Sequence, residues 1–257
     1  MIPQIIHYCW FGHNELPPLA KKCIESWHKF LPNYEIKEWN ESNFDVNTIP
    51  YTAKAYKYKK YAFVSDYARL KILYDYGGIY LDTDVEIIKS IDDIIEKGAF
   101  MGLEIDVKNA SEEDMFNSVN PGLGFAVPAK HPFLKEMLNL YETIPYTRQN
   151  TTITRYVSEQ LLKKGFKPQE GAITNIADIN IYPRTFFNPF SRKSFSVEIT
   201  ENTRSIHHYA SSWLSKRQRW INKHRYLSLL YWILHRPITA NIKGLKRIIK
   251  EKSIWGN

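Results

Sequence analysis

The segment LDTDV, residues 81–85, sets two carboxylates, Asp82 and Asp84, directly after a short apolar run, with Glu86 close behind. Residues two apart on a strand share a face, so the pair can reach one object together if the extended geometry persists. Two anions held that close repel, and the usual remedies are a shared proton or a bound cation. Oxygen-rich pairs suit hard divalent ions such as Mg2+ and Mn2+, and Mg2+ characteristically completes its shell with water and substrate phosphates. The chemistry that follows is a clamp on a metal-bound diphosphate; the plainer alternative is two acids solvating a turn. Upstream, SDYAR places Asp66 and Arg69 three residues apart, the spacing of an ion pair on one helix. Such a pair contributes little on an exposed face, yet this one lies on the element that leads into the carboxylates.

Those side chains need elements to hold them. IPQIIHYCW reads as a short apolar strand, broken by FGH. LPPLAKKCIESWHKFLP carries Leu19, Cys23, Trp27 and Phe30 at helical spacings between Pro17, Pro18 and Pro32, which predicts an amphipathic helix. YEIKEW alternates in the strand period. Strand, helix and strand in about 40 residues make a βαβ unit, whose loops face a ligand at the strand ends. Residues 62–76 predict a second helix with Phe63, Tyr67, Leu70 and Tyr74 on one stripe, stopped by Gly77 in a left-handed conformation, before the strand IYL. Residues 106–120 read as a polar loop. PGLGFAVPAKHPFLKEMLNLYETI reads as a turn and a buried strand leading into a helix with Phe133, Leu134, Met137, Leu138 and Tyr141 as its apolar residues. From 146 to 205 the signals are weaker, with short segments broken by Pro and Gly.

At 257 residues and 44% hydrophobic, the chain can bury a substantial core, which argues against general disorder. Cys9 and Cys23 are too few for a disulfide framework or a four-ligand zinc site, which fits a reducing cytoplasm. MIPQIIHYCWFGHNE has no basic residue ahead of its apolar segment and no small-residue cleavage site, so no secretory signal is expected. No apolar run reaches the roughly 20 residues of a membrane-spanning helix. Charge is unevenly placed: residues 214–257 hold eleven Lys and Arg against the single Glu251, a net +10 within an overall +8, so the rest carries −2. A basic segment interleaved with Trp and Tyr suits an anionic membrane surface. No base-reading nucleic-acid module is visible in it, and the plain alternative is a solvated helical pair closing the domain.

IPQIIHYCWFG, FVSDYARLKILYDYGGIYLDTDV and IHHYASSW together resemble the bacterial glycosyltransferases of family 32, which relate to the yeast initiating mannosyltransferase and, more distantly, to the glucosylating domains of large clostridial toxins. The resemblance covers residues 1–85 and recurs at 206–213. It implies a GT-A-like α/β domain over 1–213, with a mixed, mostly parallel central sheet and helices on both faces, followed by a basic helical segment over 214–257. It implies transfer of a sugar, with retention, from a nucleoside-diphosphate-sugar, UDP-linked foremost, to a saccharide or lipid-linked acceptor in surface polysaccharide synthesis. A cytoplasmic location with peripheral contact at the inner membrane face follows. Carried over by position, Trp10 would stack on or line the base, Asp66 and Arg69 would hold ribose and donor sugar, and Tyr80 would pack near the nucleotide. Asp82 and Asp84 would form the Mn2+ (or Mg2+) and diphosphate site. His208 stands where the toxins place a metal-binding acid, with His207 an equal alternative; Ser211 stands at a metal-bound serine and Trp213 at an indole that contacts the diphosphate. Asn120 is a further candidate for a sugar contact, against a plain role as a turn residue before Pro121. Two other classes compete: haloacid-dehalogenase-like phosphotransferases, in which the first Asp of an Asp-x-Asp is the nucleophile, and a non-catalytic carbohydrate-binding protein that has kept the fold.

Overall fold

Strand β1 (Ile5–Cys9) leads through Pro17 into helix α1 (Pro18–Phe30) and strand β2 (Glu35–Trp39). β1 and β2 pair in parallel from Ile5↔Glu35 to Cys9↔Trp39, which completes the βαβ unit expected from the sequence. Helices α2 (Pro50–Lys57) and α3 (Tyr61–Tyr76) follow, then the short strands β3 (Gly78–Tyr80) and β4 (Val85–Ile87), helix α4 (Asp92–Ile95) and strand β5 (Phe100–Leu103). Next come α5 (Glu112–Met115), β6 (Val119–Val127), α6 (Pro132–Thr143) and α7 (Ile153–Lys163). The hairpin of β7 (Thr174–Ile176) and β8 (Ile179–Tyr182), the turn of helix α8 (Arg184–Phe187), and the short strands β9 (Phe190–Ser191), β10 (Ser196–Val197) and β11 (Ser205–His207) complete the order. The computed structural model describes residues 1–108, 110–147, 151–191 and 196–210. Met1–Tyr209 make one compact unit.

Among the described residues the main sheet has seven strands in the order β2-β1-β3-β6-β5-β8-β7. β6 is antiparallel to both of its neighbours and β7 to β8, and the remaining pairs are parallel. Three pairs are parallel and three antiparallel, but five of the seven strands point the same way, so the sheet is mixed and mostly parallel in strand direction, and it is covered on both faces. Ile6, Tyr8, Ile79 and Leu81 pack with Cys23 and Trp27 of α1 and Phe187 of α8. Cys9, Tyr80, Met101 and Phe125 pack on the opposite face with residues of α2, α3, α6 and α7. This alternation is what the period-2 geometry of strands dictates.

Three local expectations change. α3 is not a surface helix with one apolar stripe: Val64, Asp66, Tyr67, Ala68, Arg69, Leu70, Ile72 and Leu73 are all buried, because the helix contacts β1 and β3 on one side and α2 and α6 on others. Gly77 ends it with the expected positive φ of 66°, but its ψ of −162° lies outside the left-handed helical well, in a region essentially open to glycine alone. The stretch 106–120 is not wholly loop. Ser111 Oγ accepts from Asp114 N at 3.1 Å while Asp114 Oδ2 accepts from Ser111 N at 2.9 Å, a reciprocal cap that starts α5.

Candidate active site

Asp82 and Asp84 do not lie on a strand. β3 ends at Tyr80, and Val85 N donates to Asp82 O at 3.0 Å, closing a turn that carries the chain into β4. The carboxylates are brought together by this turn rather than by the pleat. A third partner arrives from far along the chain: β11 pairs antiparallel with β4, setting His207 opposite Val85. His208 N donates to Asp84 O at 2.9 Å, and His207 Nε2 lies 3.2 Å from Asp84 Oδ1. Ligand atoms of Asp82, Asp84 and His207 all fall within 4.8 Å of one another.

Arg69 ties this group to α3. Its Nη2 lies 3.2 Å from Asp66 Oδ1 and 3.2 Å from Asp82 Oδ1, while its guanidinium sits 4.5 Å above the Tyr80 ring. Asp66 Oδ2 accepts from Ile153 N, at the start of α7, at 3.3 Å. Burial pushes the Asp66 carboxyl up to about 6, against the pull of Arg69 and with the repulsion of Asp82. For Arg69 burial opposes the charge, but Asp82, Tyr80 and Asp66 outweigh it and hold the guanidinium protonated. Burial likewise opposes protonation of His207, and the bond to Asp84 with the charges of Asp84, Glu104 and Asp82 reverses the sign, raising its pKa.

The other expected residues fall in different places. Tyr80 is 1% exposed and lies beneath Arg69, so it supports that side chain. Trp10 is half-buried at the end of β1, its Nε1 donating to Asn14 O at 2.6 Å. With Asn14, Glu38, Asn40 and Glu41 it lines a hollow of about 270 Å³, the size of a small flat group and less than a whole nucleotide-sugar needs. His208 points its Nε2 to Glu86 Oε2 at 2.7 Å, and Lys22 Nζ reaches the same oxygen at 2.9 Å, so His207 and not His208 joins the two aspartates. Asn120 is on β6, not in a turn; its Nδ2 donates to Glu104 Oε2 at 2.9 Å and its Oδ1 accepts from Gly122 N at 2.7 Å. Ser211 and Trp213 lie outside the described residues. Sequence reasoning missed Glu104 and Gly122, which only strand pairing brings to the site.

Two carboxylates and an imidazole form an O,O,N donor set that suits a divalent cation such as Mn2+. His207 faces the two aspartates through Nε2, the nitrogen 3.2 Å from Asp84 Oδ1. The set fits a metal ion.

Residues 17–101 match the family described as the glycosyltransferase sugar-binding region containing a DXD motif. Two curated relatives carry the same theme. An uncharacterized glycosyltransferase of Acanthamoeba polyphaga mimivirus is 37% identical over 106 residues, 39% of this chain and 42% of that one. Inositol phosphoceramide mannosyltransferase 3 of Schizosaccharomyces pombe is 32% identical over 145 residues, 53% of this chain and 36% of that one. The chain thus spans less than half the length of these two relatives. Among solved structures, the PaToxG glycosyltransferase aligns with 64% of this chain and 70% of its own at 21% identity and a TM-score of 0.46.

Proposed function

We propose that Met1–Tyr209 is a GT-A-type glycosyltransferase domain that moves a sugar from a nucleoside-diphosphate donor to a saccharide or lipid-linked acceptor. The observation that carries this reading is the meeting of Asp82, Asp84 and His207 within 4.8 Å, beside an arginine already paired to Asp82. When bound, a divalent ion supplies the concentrated positive charge against which a diphosphate can depart. Asp82, Asp84 and His207 would hold that ion, and the nitrogen donor would favour Mn2+ over Mg2+. Arg69 adds a permanent cation on the α3 side, and Asp66 orients it. Negative charge grows on the leaving phosphate as the glycosidic bond breaks, so fixed positive charge stabilises the transition state more than the ground state. The Arg69 bond to Asp82 Oδ1 supports this reading over a phosphotransferase in which Asp82 attacks as a nucleophile.

The hollow beside Trp10 takes the base in this scheme, with UDP-linked hexoses or N-acetylhexosamines as first candidates. The mannosyl transfer to a lipid named for the fission-yeast relative adds nucleotide-linked mannose to the panel and supports a lipid-linked acceptor. Retention of configuration and a role in surface polysaccharide synthesis rest on the resemblance of the motifs. The test is a screen of nucleotide-sugars for slow Mn2+-dependent hydrolysis, repeated with Asp84→Ala. Loss of nearly all turnover with an unchanged circular dichroism spectrum is expected; full activity in the variant would remove the site assignment.

A further inference from the structure

The pairing of β5 with β6 contains a break. Phe100 and Met101 stand opposite Ala126 and Phe125, but Gly102 and Leu103 stand opposite Asn120 and Val119, so Pro121, Gly122, Leu123 and Gly124 have no counterpart on β5. Pro121 brings no N–H to a ladder, which suits a residue at such an irregularity. The released segment follows the other neighbour instead, continuing the β3 pairing past Tyr80↔Phe125 until Asp82 N donates to Gly122 O at 3.0 Å. Its path runs against the first carboxylate. A Cβ built on Gly122 would lie 1.9 Å from Asp82 Oδ2 and 2.7 Å from Asp82 Cγ, closer than atoms can approach. Gly122 does not have a positive φ, so the demand for glycine here is one of space and not of backbone conformation.

Asp82 is therefore wedged, with Oδ1 on Arg69 and Oδ2 against the bare face of Gly122. Gly122 is itself held, because its N–H donates to Asn120 Oδ1 at 2.7 Å, and Asn120 is fixed in turn by donating to Glu104 Oε2 at 2.9 Å. Asn120 is 9% exposed. An amide whose donor and acceptor are both engaged has a fixed orientation, and it transmits the placement of Glu104 to Gly122.

We propose that Glu104, Asn120 and Gly122 are positioning residues that set where the Asp82 carboxylate stands, so that three groups outside the Asp82, Asp84 and His207 set determine its affinity for a divalent ion. The inference rests on the metal-site reading above, and its tests separate the two. Mn2+ titration of the unliganded protein by electron paramagnetic resonance reads affinity without turnover. G122A is expected to weaken Mn2+ binding by at least about 10-fold, the lower range seen when groups supporting metal ligands are removed. E104A, one hydrogen bond further away, is expected to weaken it by about 3-fold to 10-fold. E104Q keeps an acceptor for Asn120 but removes the charge that reaches His207, and should lose less affinity than E104A. Wild-type affinity in both G122A and E104A, or a loss in E104Q equal to that in E104A, would overturn the proposal. A second readout needs no metal: G122A should lower the melting temperature more in the wild-type background than in Asp82→Ala, where the closest approach left is Asn120 Oδ1 at 3.1 Å. Equal losses in both backgrounds would overturn the wedge even if the wild type bound no Mn2+, a result that by itself would sink only the metal-site reading.

Discussion

Removing the Arg69 guanidinium would leave Asp66 and Asp82 facing each other, with a buried cation gone and no other ion-pair partner for either carboxylate among the described residues. Breaking a buried pair by deleting one partner characteristically costs about 3–5 kcal/mol. Arg69→Met is accordingly expected to shift urea unfolding by that order, and adding Asp66→Asn should recover part of the loss; a double variant no better than Arg69→Met would show that the Asp66 charge is not the problem. Arg69→Lys is expected to fall between, because a point charge on a flexible stem cannot reproduce two contacts and a ring stack at once. The types and the spacing of Asp66, Arg69, Asp82 and Asp84 were legible in the sequence. Their burial was not: a three-residue interval looks the same on an exposed helix and on one covered by α2, α6 and the sheet. Glu104 and Gly122 left no local signal, since 18 residues and a break in strand register separate them in the chain.

Where periodicity is long, the elements follow the sequence: β1, α1, β2 and α3 lie within a few residues of expectation. The stretch 146–205 failed for identifiable reasons. The β7–β8 hairpin turns through Ala177 and Asp178, both at positive φ, in place of the Asn-Gly that announces such turns. Strand β11 is three residues long and is defined by its partner β4, not by its own pattern. The connection from α3 to β3 is a single glycine, and its geometry makes a sharp prediction. At Gly77 an added Cβ would meet Ala129 N at 2.6 Å, and the conformation alone costs a non-glycine residue about 1–3 kcal/mol. Gly77→Ala should therefore destabilise more than Gly98→Ala, which also has positive φ but open space around it. Equal melting temperatures for the two variants would contradict the close approach.

Across the whole molecule, a residue of β1 is expected to couple stability to pH. His7 is wholly buried, with Nε2 on Gly77 O at 2.9 Å and Nδ1 accepting from Trp39 Nε1 at 3.1 Å, an arrangement that requires the neutral ring. Burial lowers its pKa from 6.5 to about 4, only partly countered by the Gly77 bond. The unfolded chain thus takes up the proton first, so this contribution is complete above pH 6.5 and is lost as pH falls toward 4. The stability advantage of wild type over His7→Gln should shrink by about 2 kcal/mol between pH 7 and 4.5 in urea titrations; a constant gap would contradict the neutral ring. The charge division makes a separate prediction: if the +10 segment 214–257 carries the chain to anionic membranes, deleting residues 220–257 should abolish partition onto vesicles containing phosphatidylserine, and unchanged partition would reject that role. The main sheet is complete once Tyr182 has joined it, whereas the imidazole of the acidic cluster arrives on a strand 25 residues later. Synthesis thus delivers all seven strands and both aspartates first, and the histidine that joins them is the last member of the cluster to leave the ribosome.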